Sequence, residues 1–409
     1  MTKTCSMVGG AGWPVISLLL FATLPATLVT GAFSPGLPVL ADELGGGPKG
    51  QALAQLVMGA PSTAMLVGAP LFGWLADRAG ARLVLVICAA ITTVAGLACL
   101  AVSDFEPLLV LRCLIGLGVS GLVPVSGAMI GEYFDGHDRS KLIGLRQGLM
   151  SITTKLVVVI SGLLVHAYGW SAPFVLYGIG VGVIMLALFV PTPPRSERLT
   201  ERGADDGYTP LLQPWFIACA IGNILLAVFI YNLLIQVPFL LRAKGYPDPR
   251  TFASLYFLPG FISVLFSFAF IALRKRIAPL PLLGGALFVF AVGTAVEGAA
   301  GSLLMLGVGV MISAAPVALL EPSLVAYVLD RIPPATRARA MGILFATLHL
   351  GPLLNPLVMW PLTRLMGIES AFFVLAGLAL TGGAFLLGRS YLPVSRQRPV
   401  AGPVGQHQP

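Results

Sequence analysis

Twelve apolar runs, each long enough to cross a bilayer, limit what this chain can become. A membrane helix needs about 20 apolar residues. The runs cover residues 14–38, 52–75, 83–103, 107–131, 142–167, 171–191, 212–240, 252–273, 279–298, 302–329, 338–363 and 370–391. The chain is 57% apolar and only 10% charged, whereas a soluble domain carries about 25% charged residues. It has too little polar surface to face water on all sides, so lipid is its solvent. The expected fold class is an all-α membrane protein with 12 transmembrane helices. The run from Trp13, behind Lys3, has the outline of a signal peptide. Further spans follow at once and no convincing cleavage site stands there, so it reads as the first membrane helix.

Basic residues set the orientation. With the N-terminus inside, the inner segments hold Lys3, Arg78, Arg82, Arg139, Lys141, Arg146, Arg195, Arg198, Arg202, Arg274, Lys275, Arg276, Arg331, Arg337, Arg339, Arg389, Arg396 and Arg398. The outer loops hold only Lys49, Arg242, Lys244, Arg250 and Arg364. Excess Lys and Arg marks the cytoplasmic face, so both termini are expected in the cytoplasm and the protein in the cytoplasmic (inner) membrane. The net charge of +8 is explained by this placement, and a nucleic-acid partner is not expected. Connections are short except for Pro191 to Thr209, PTPPRSERLTERGADDGYT. That stretch divides the chain into an N-terminal six-helix bundle (1–191), a cytoplasmic linker (192–211) and a C-terminal six-helix bundle (212–391). Residues 392–409 are polar and Pro-rich, and are expected to be a disordered tail.

The halves repeat. Arg139-Ser-Lys141-Leu-Ile-Gly144 matches Arg337-Ala-Arg339-Ala-Met-Gly342 at an offset of 198, as do Pro124 with Pro322 and Gly169 with Gly367. Phe174-Val-Leu against Phe373-Val-Leu continues the match one residue later. Leu37-Pro38-Val-Leu40 against Val237-Pro238-Phe-Leu240 extends it at an offset of 200. A sustained self-match at an offset of about half the chain length points to a duplicated six-helix unit.

Between the second and third runs stands Gly73-Trp74-Leu75-Ala76-Asp77-Arg78-Ala79-Gly80-Ala81-Arg82. This G-x-x-x-D-R-x-G-x-R pattern resembles the signature loop between helices 2 and 3 of the major facilitator superfamily of secondary transporters. Ala81 replaces a second basic residue of the usual form. Arg112-Cys-Leu-Ile-Gly116-Leu-Gly118 is similar to the family's R-x-x-x-G-x-G motif early in helix 4. Gly131-Glu132-Tyr133-Phe134, followed by Arg139 and Gly144, is similar to its helix 4–5 junction, and Gly169-Trp170 with Phe174 to its helix 6 start. Pro35-Gly-Leu-Pro38-Val-Leu resembles the drug:proton antiporter branch, yet that branch's Gly-Pro motif is missing from helix 5, which reads Thr153-Thr-Lys155-Leu-Val-Val-Val-Ile-Ser-Gly162. The resemblance implies two pseudo-symmetric six-helix bundles with a substrate site between them at the midplane, in a monomer. It also implies that Asp77 and Arg78, with Gly73, Gly80 and Arg82, latch the cytoplasmic side, with Glu132 and Arg139 as partners. An acid near a helix N-terminus is favoured there by the dipole.

A charge at the bilayer centre costs at least about 2.5–3.5 kcal/mol on insertion scales. Arg112, Lys155 and Glu321 lie that deep. Gln147, Ser151 and Lys155 are spaced i, i+4, i+8 and share one helix face, which reads either as an anchor for an anionic group or as a packing face with a paired lysine. Arg112 is either a structural arginine on helix carbonyls or, as the resemblance implies, part of proton coupling or of the cavity. Glu321 precedes Pro322, which lacks an N–H and marks a bend. An acid in a low-dielectric setting is costly to ionise, so Glu321 is the first candidate for carrying a proton, the alternative being a charge partner for Lys155 or Arg112. Thr23, Thr27, Thr30 and Ser34 form a stripe on helix 1, Asn232 and Gln236 are i, i+4 on helix 7 with Asn223 deeper, and His349 and Asn355 lie in helix 11. Such side chains also join membrane helices without touching substrate. His349 titrates near neutral pH when unperturbed.

The sequence therefore reads as a proton-coupled secondary transporter of a small organic solute, exporting by alternating access. Two buried cations against one buried acid point to an anionic group on that solute. The alternatives are a multidrug:proton antiporter for lipophilic cations and, in another class, a membrane sensor or scaffold without transport. No Walker A, H-E-x-x-H or G-x-S-x-G pattern occurs, and the cysteines show no C-x-x-C spacing. Neither an enzyme nor a cofactor nor a metal site is expected; the partners are the solute, protons and the lipid bilayer.

Overall fold

The computed structural model describes residues 13–134, 136–190, 209–333 and 336–391. The expected tail and almost all of the expected linker lie outside these. Every regular element among the described residues is helical. Twelve spans follow in order: α1 (Trp13–Glu43), α2 (Gly47–Ala79), α3 (Ala81–Ala98), α4 (Phe105–Tyr133), α5 (Gly136–Tyr168) and α6 (Ala172–Phe189) in the first half. The second half holds α7 (Pro214–Ile235, resumed as Val237–Ala243), α8 (Pro249–Arg274), α9 (Pro279–Ala299), α10 (Leu303–Leu329), α11 (Arg337–His349 and Gly351–Met366) and α12 (Ile368–Tyr391). Among the described residues ten helices are long and apolar enough to cross a membrane, and the two pieces of α11, bent by 44°, make an eleventh. The 26-residue α8 completes the set. The chain reverses at each connection, so one end of the bundle carries Arg78, Arg82, Arg274 and Arg331 (the basic end). The other carries Glu43, Tyr168 and Met366 (the far end).

Prolines and glycines shape the spans. Pro25, Pro35 and Pro38 divide α1 into Trp13–Phe21, Leu24–Gly31 and Leu37–Glu43. Pro238 breaks α7 at Gln236 in the same way, because proline supplies no N–H to the carbonyl one turn back. The repeat is visible in the backbone. Pro38 and Pro238 open equivalent short far-end helices, which Gly45 (φ 103°) and Gly245 (φ 89°) follow. Gly169 and Gly367 turn the chain at φ 92° and 83°.

Each half is filled by its own apolar residues, and the clusters meet at the seam, where Ile235 and Phe239 join the first and Val158 the second. Leu37, Ala54, Leu108, Ile115 and Phe174, with a second group around Leu18, Leu85 and Met129, fill the first half. Phe216, Phe290, Leu320 and Phe372 belong to the core of the second. Close helix approach depends on small residues, as expected where lipid removes the usual hydrophobic driving force between helices. At the α2–α4 crossing a Cβ on Gly116 would fall on the Pro61 backbone, which cannot swing away. Gly116→Ala is therefore expected to lower the unfolding temperature in detergent, at a cost of about 1–3 kcal/mol for overpacking. Gly148→Ala, which meets nothing within 4 Å, is expected to leave it unchanged. Equal effects would refute the packing account.

The halves meet along α1–α7, α2–α11 and α5–α8. The Arg242 guanidinium pairs with Asp42 at 2.7 Å and donates to the Pro38 carbonyl at 2.7 Å. His166 Nδ1 lies 3.3 Å from Asp248 Oδ1. The Arg250 side chain beside Asp248 holds that carboxyl below its ordinary range, helped by the Arg250 backbone N–H that it caps and by His166. A Cβ on Gly59 would lie 2.9 Å from Leu353 Cα. These cross-half contacts all fall in the half of the bundle nearer the far end.

Candidate functional site

Lys155 sits close to the middle of α5, half-buried, and faces α8 of the other half. Its Nζ lies 3.5 Å from Tyr256 Oη and 5.1 Å from the centre of the Tyr256 ring. A cation over a tyrosine face is held by the ring quadrupole. Gly260, one turn along α8 from Tyr256, leaves room for the lysine stem, because a Cβ there would approach Lys155 Cδ to 2.7 Å. No described carboxylate pairs with Lys155. Of its face-mates, Ser151 is half-buried and Gln147 exposed.

Glu321 lies in α10 next to Pro322, half-buried, and makes no hydrogen bond or ion pair among the described residues. Tyr231 of α7 lies within electrostatic range of both Glu321 and Tyr256. Tyr231 packs against Gly351, at the bend of α11. Lys155 and Tyr256 thus meet across the seam between the halves. An organic anion can replace tyrosine as the ligand of the ammonium group, and Glu321 can take up or release a proton. His349 ends the first piece of α11. Its Nδ1 is 2.8 Å from the Phe345 carbonyl and its ring lies 4.0 Å from that of Phe345.

Arg112 is elsewhere. It has 0% exposure and is enclosed in the first half. Its Nε donates to Val57 O at 3.1 Å and its Nη2 to Val29 O at 2.8 Å and Met58 O at 3.5 Å. The Phe33 ring covers it at 4.5 Å. It ties α1, α2 and α4 together and makes no contact with Lys155 or Glu321. Thr27 is buried and donates to its own helix at Leu24 O, while Thr30 is half-buried. Asn232, Gln236 and Asn355 are 2%, 0% and 0% exposed. Gln236 and Asn355 are hydrogen-bonded to each other at 2.8 Å.

At the signature turn, Gly80 (φ 92°) caps α2, and its N–H donates to Ala76 O. Arg78 lies 4.1 Å over the Trp74 ring, and Arg82 donates to the Leu188 carbonyl of α6. Asp77 is exposed in the last turn of α2 and not at a helix N-terminus, so the dipole of its own helix does not favour it, contrary to the expectation. Gly73 has open space where a Cβ would stand. The side chains of Glu132 and Arg139 lie outside the described residues.

Sequence reasoning missed three participants. Gln55 is spaced i, i+4 from Gln51, which puts both on one helix face and could have found it, whereas nothing in its run singles out Tyr256. Glu297 is 1% exposed and accepts a bond from the Ser313 hydroxyl. It sits at the end of its apolar run, where an acid reads as an interfacial residue. It is a second buried acid, so the count of two cations against one acid no longer supports an anion. That support now rests on Lys155 alone.

The Major Facilitator Superfamily model matches residues 19–320. The multidrug resistance protein MdtL of Klebsiella pneumoniae is 27% identical over 241 residues, 57% of this chain and 60% of MdtL, so the match spans less than two thirds of that relative. NiaP of Bacillus subtilis, whose name assigns it to niacin or nicotinamide transport, is 26% identical over 311 residues, 73% of this chain and 76% of NiaP. In fold, the chain is similar to a D-xylose–proton symporter, with a TM-score of 0.73 at 17% identity over 90% of this chain and 96% of that one.

Proposed function

This chain belongs to the Major Facilitator Superfamily, and on that basis we propose that it exports a small organic anion across the cytoplasmic membrane in exchange for protons, as a monomer. The superfamily consists of membrane transporters and not enzymes. The observation that carries the anion reading is Lys155, a midspan ammonium at the seam of the halves with only Tyr256 to satisfy it among the described residues. An unpaired cation at that depth is costly, and an anionic ligand removes the cost. Glu321, next to Pro322 in α10 and within electrostatic range of Tyr231, is assigned the transported proton. Arg112 is assigned the fixed geometry of the first half's wall, where it ties α4 to carbonyls of α1 and α2. Gln147, Ser151, Thr30 and Asn232 are assigned to the cavity wall, and His349 to the bend of α11. Asp77, Arg78 and Arg82 are assigned the latch at the basic end, which the count of Lys and Arg places in the cytoplasm. The linker at 192–211 joins two bundles that rock against each other.

The relative NiaP suggests a discriminating pair of probes. Nicotinate carries a carboxylate and nicotinamide does not, at nearly equal size. Calorimetry on the purified protein is expected to show binding of nicotinate or benzoate and none of nicotinamide or tetraphenylphosphonium. MdtL supports a second reading, a multidrug exporter. Binding of tetraphenylphosphonium without binding of any carboxylate would establish that reading and end the first.

A further inference from the structure

The signature turn accounts for closure at the basic end and says nothing about what shuts the far end. Three buried amides stand there in a row. Gln55 of α2 is 1% exposed, and Gln236 of α7 and Asn355 of α11 are 0% exposed. Gln55 Nε2 donates to Gln236 Oε1 at 3.2 Å, Gln236 Nε2 to Asn355 Oδ1 at 2.8 Å, and Asn355 Nδ2 to the Val228 carbonyl at 3.0 Å. The direction of this row is forced. A backbone carbonyl only accepts, so Asn355 must present its NH2 to Val228. Its oxygen then accepts from Gln236, whose own oxygen is left to accept from Gln55. Only the first of the three bonds joins the two halves. The other two lie within the second half and hold the Gln236 oxygen aimed at α2.

A second neutral bond lies beside it. In an unbroken helix the Leu234 carbonyl would accept from the N–H of residue 238, which is proline here and has none. The Ser34 hydroxyl of α1 donates to that carbonyl instead. The break at Gln236 thus frees one acceptor for the first half and places the amide that receives Gln55. We infer that Gln55 and Gln236, oriented by Asn355 and supported by Ser34, form a directional, uncharged latch that holds the two halves together at the far end. Opening exchanges these bonds for bonds to water. The net strength of such an exchange is small, so the latch biases the closed state without locking it. The Arg242–Asp42 pair nearer the rim has side chains 39% and 54% exposed, and exposed pairs hold weakly. The inference rests on the rocking of two halves in the proposed function, and not on the solute or the coupling ion.

The test needs no substrate, so its failure and a wrong solute are distinguishable. Spin labels on cysteines replacing Lys49 and Leu365, both exposed at the far ends of α2 and α11, report the distance between the halves by double electron–electron resonance. Gln55→Met is expected to raise the long-distance (open) fraction relative to the closed one about three- to tenfold, the range for losing one net hydrogen bond. Gln236→Met is expected to do at least as much. The double variant is expected to equal Gln236→Met, since both remove the same cross-half bond. Gln51→Met, the same change one turn nearer the rim on α2, is expected to leave the distribution alone. If Gln236→Met does not fold, Gln55→Met against Gln51→Met decides. An unchanged distribution in Gln55→Met, an effect as large in Gln51→Met, or additive effects in the double variant would each overturn the latch.

Discussion

Lys155→Met is expected to weaken binding of the organic anion by about 10- to 100-fold, the range for losing a hydrogen bond to a charged group at about 1.5–3 kcal/mol. Methionine keeps most of the stem that Gly260 accommodates and removes the ammonium. The only bonded partner described for that ammonium is Tyr256, so little of the folded structure depends on it. Loss of affinity with an unchanged unfolding temperature is the expected pattern. Tyr256→Phe separates two contributions. It removes the hydroxyl 3.5 Å from Nζ and keeps the ring 5.1 Å away, so it is expected to cost less than Lys155→Met. Unaltered affinity in Lys155→Met would make Lys155 a packing residue and return the multidrug reading to the front.

Glu321→Gln is expected to abolish uphill transport while leaving exchange of solute for solute intact. Glutamine matches the shape of the acid but has no proton to release. A gradient of one pH unit supplies about 1.4 kcal/mol per proton, which drives at most about tenfold accumulation in one-for-one exchange. The variant is expected to show no accumulation at all under that gradient, with counterflow preserved. Accumulation equal to the wild type would assign the proton elsewhere. Glu297, bonded to Ser313 between α9 and α10, is then the next acid to replace.

Much of the fold was legible because lipid imposes a strong constraint. The apolar runs, the charge bias between loops, and the paired prolines at 38 and 238 all act through local length, charge or backbone chemistry. The bends were less legible. Pro322 stands out in the sequence as a bend, whereas the 44° bend described for a span lies in α11, between His349 and Gly351. That Lys155, Glu321 and Arg112 stand within helices could be read from their position within runs, but their partners could not. Whether Arg112 meets a carboxyl or three carbonyls depends on how α1, α2 and α4 cross, and crossing geometry is set by glycines such as Gly116, whose role appears only in three dimensions. Gln55 illustrates the same limit. Gln51 one turn earlier marks its helix face, but its meaning depends on a glutamine 181 positions away.

The most direct test of the account is proton movement in proteoliposomes on addition of solute, with a pH-sensitive dye inside and no imposed gradient. Nicotinate or benzoate added to vesicles holding the wild-type protein is expected to change the internal pH. Lys155→Met is expected to need far more solute for the same change, and Glu321→Gln to give none. A response to lipophilic cations, with none to carboxylates, would contradict the central claim.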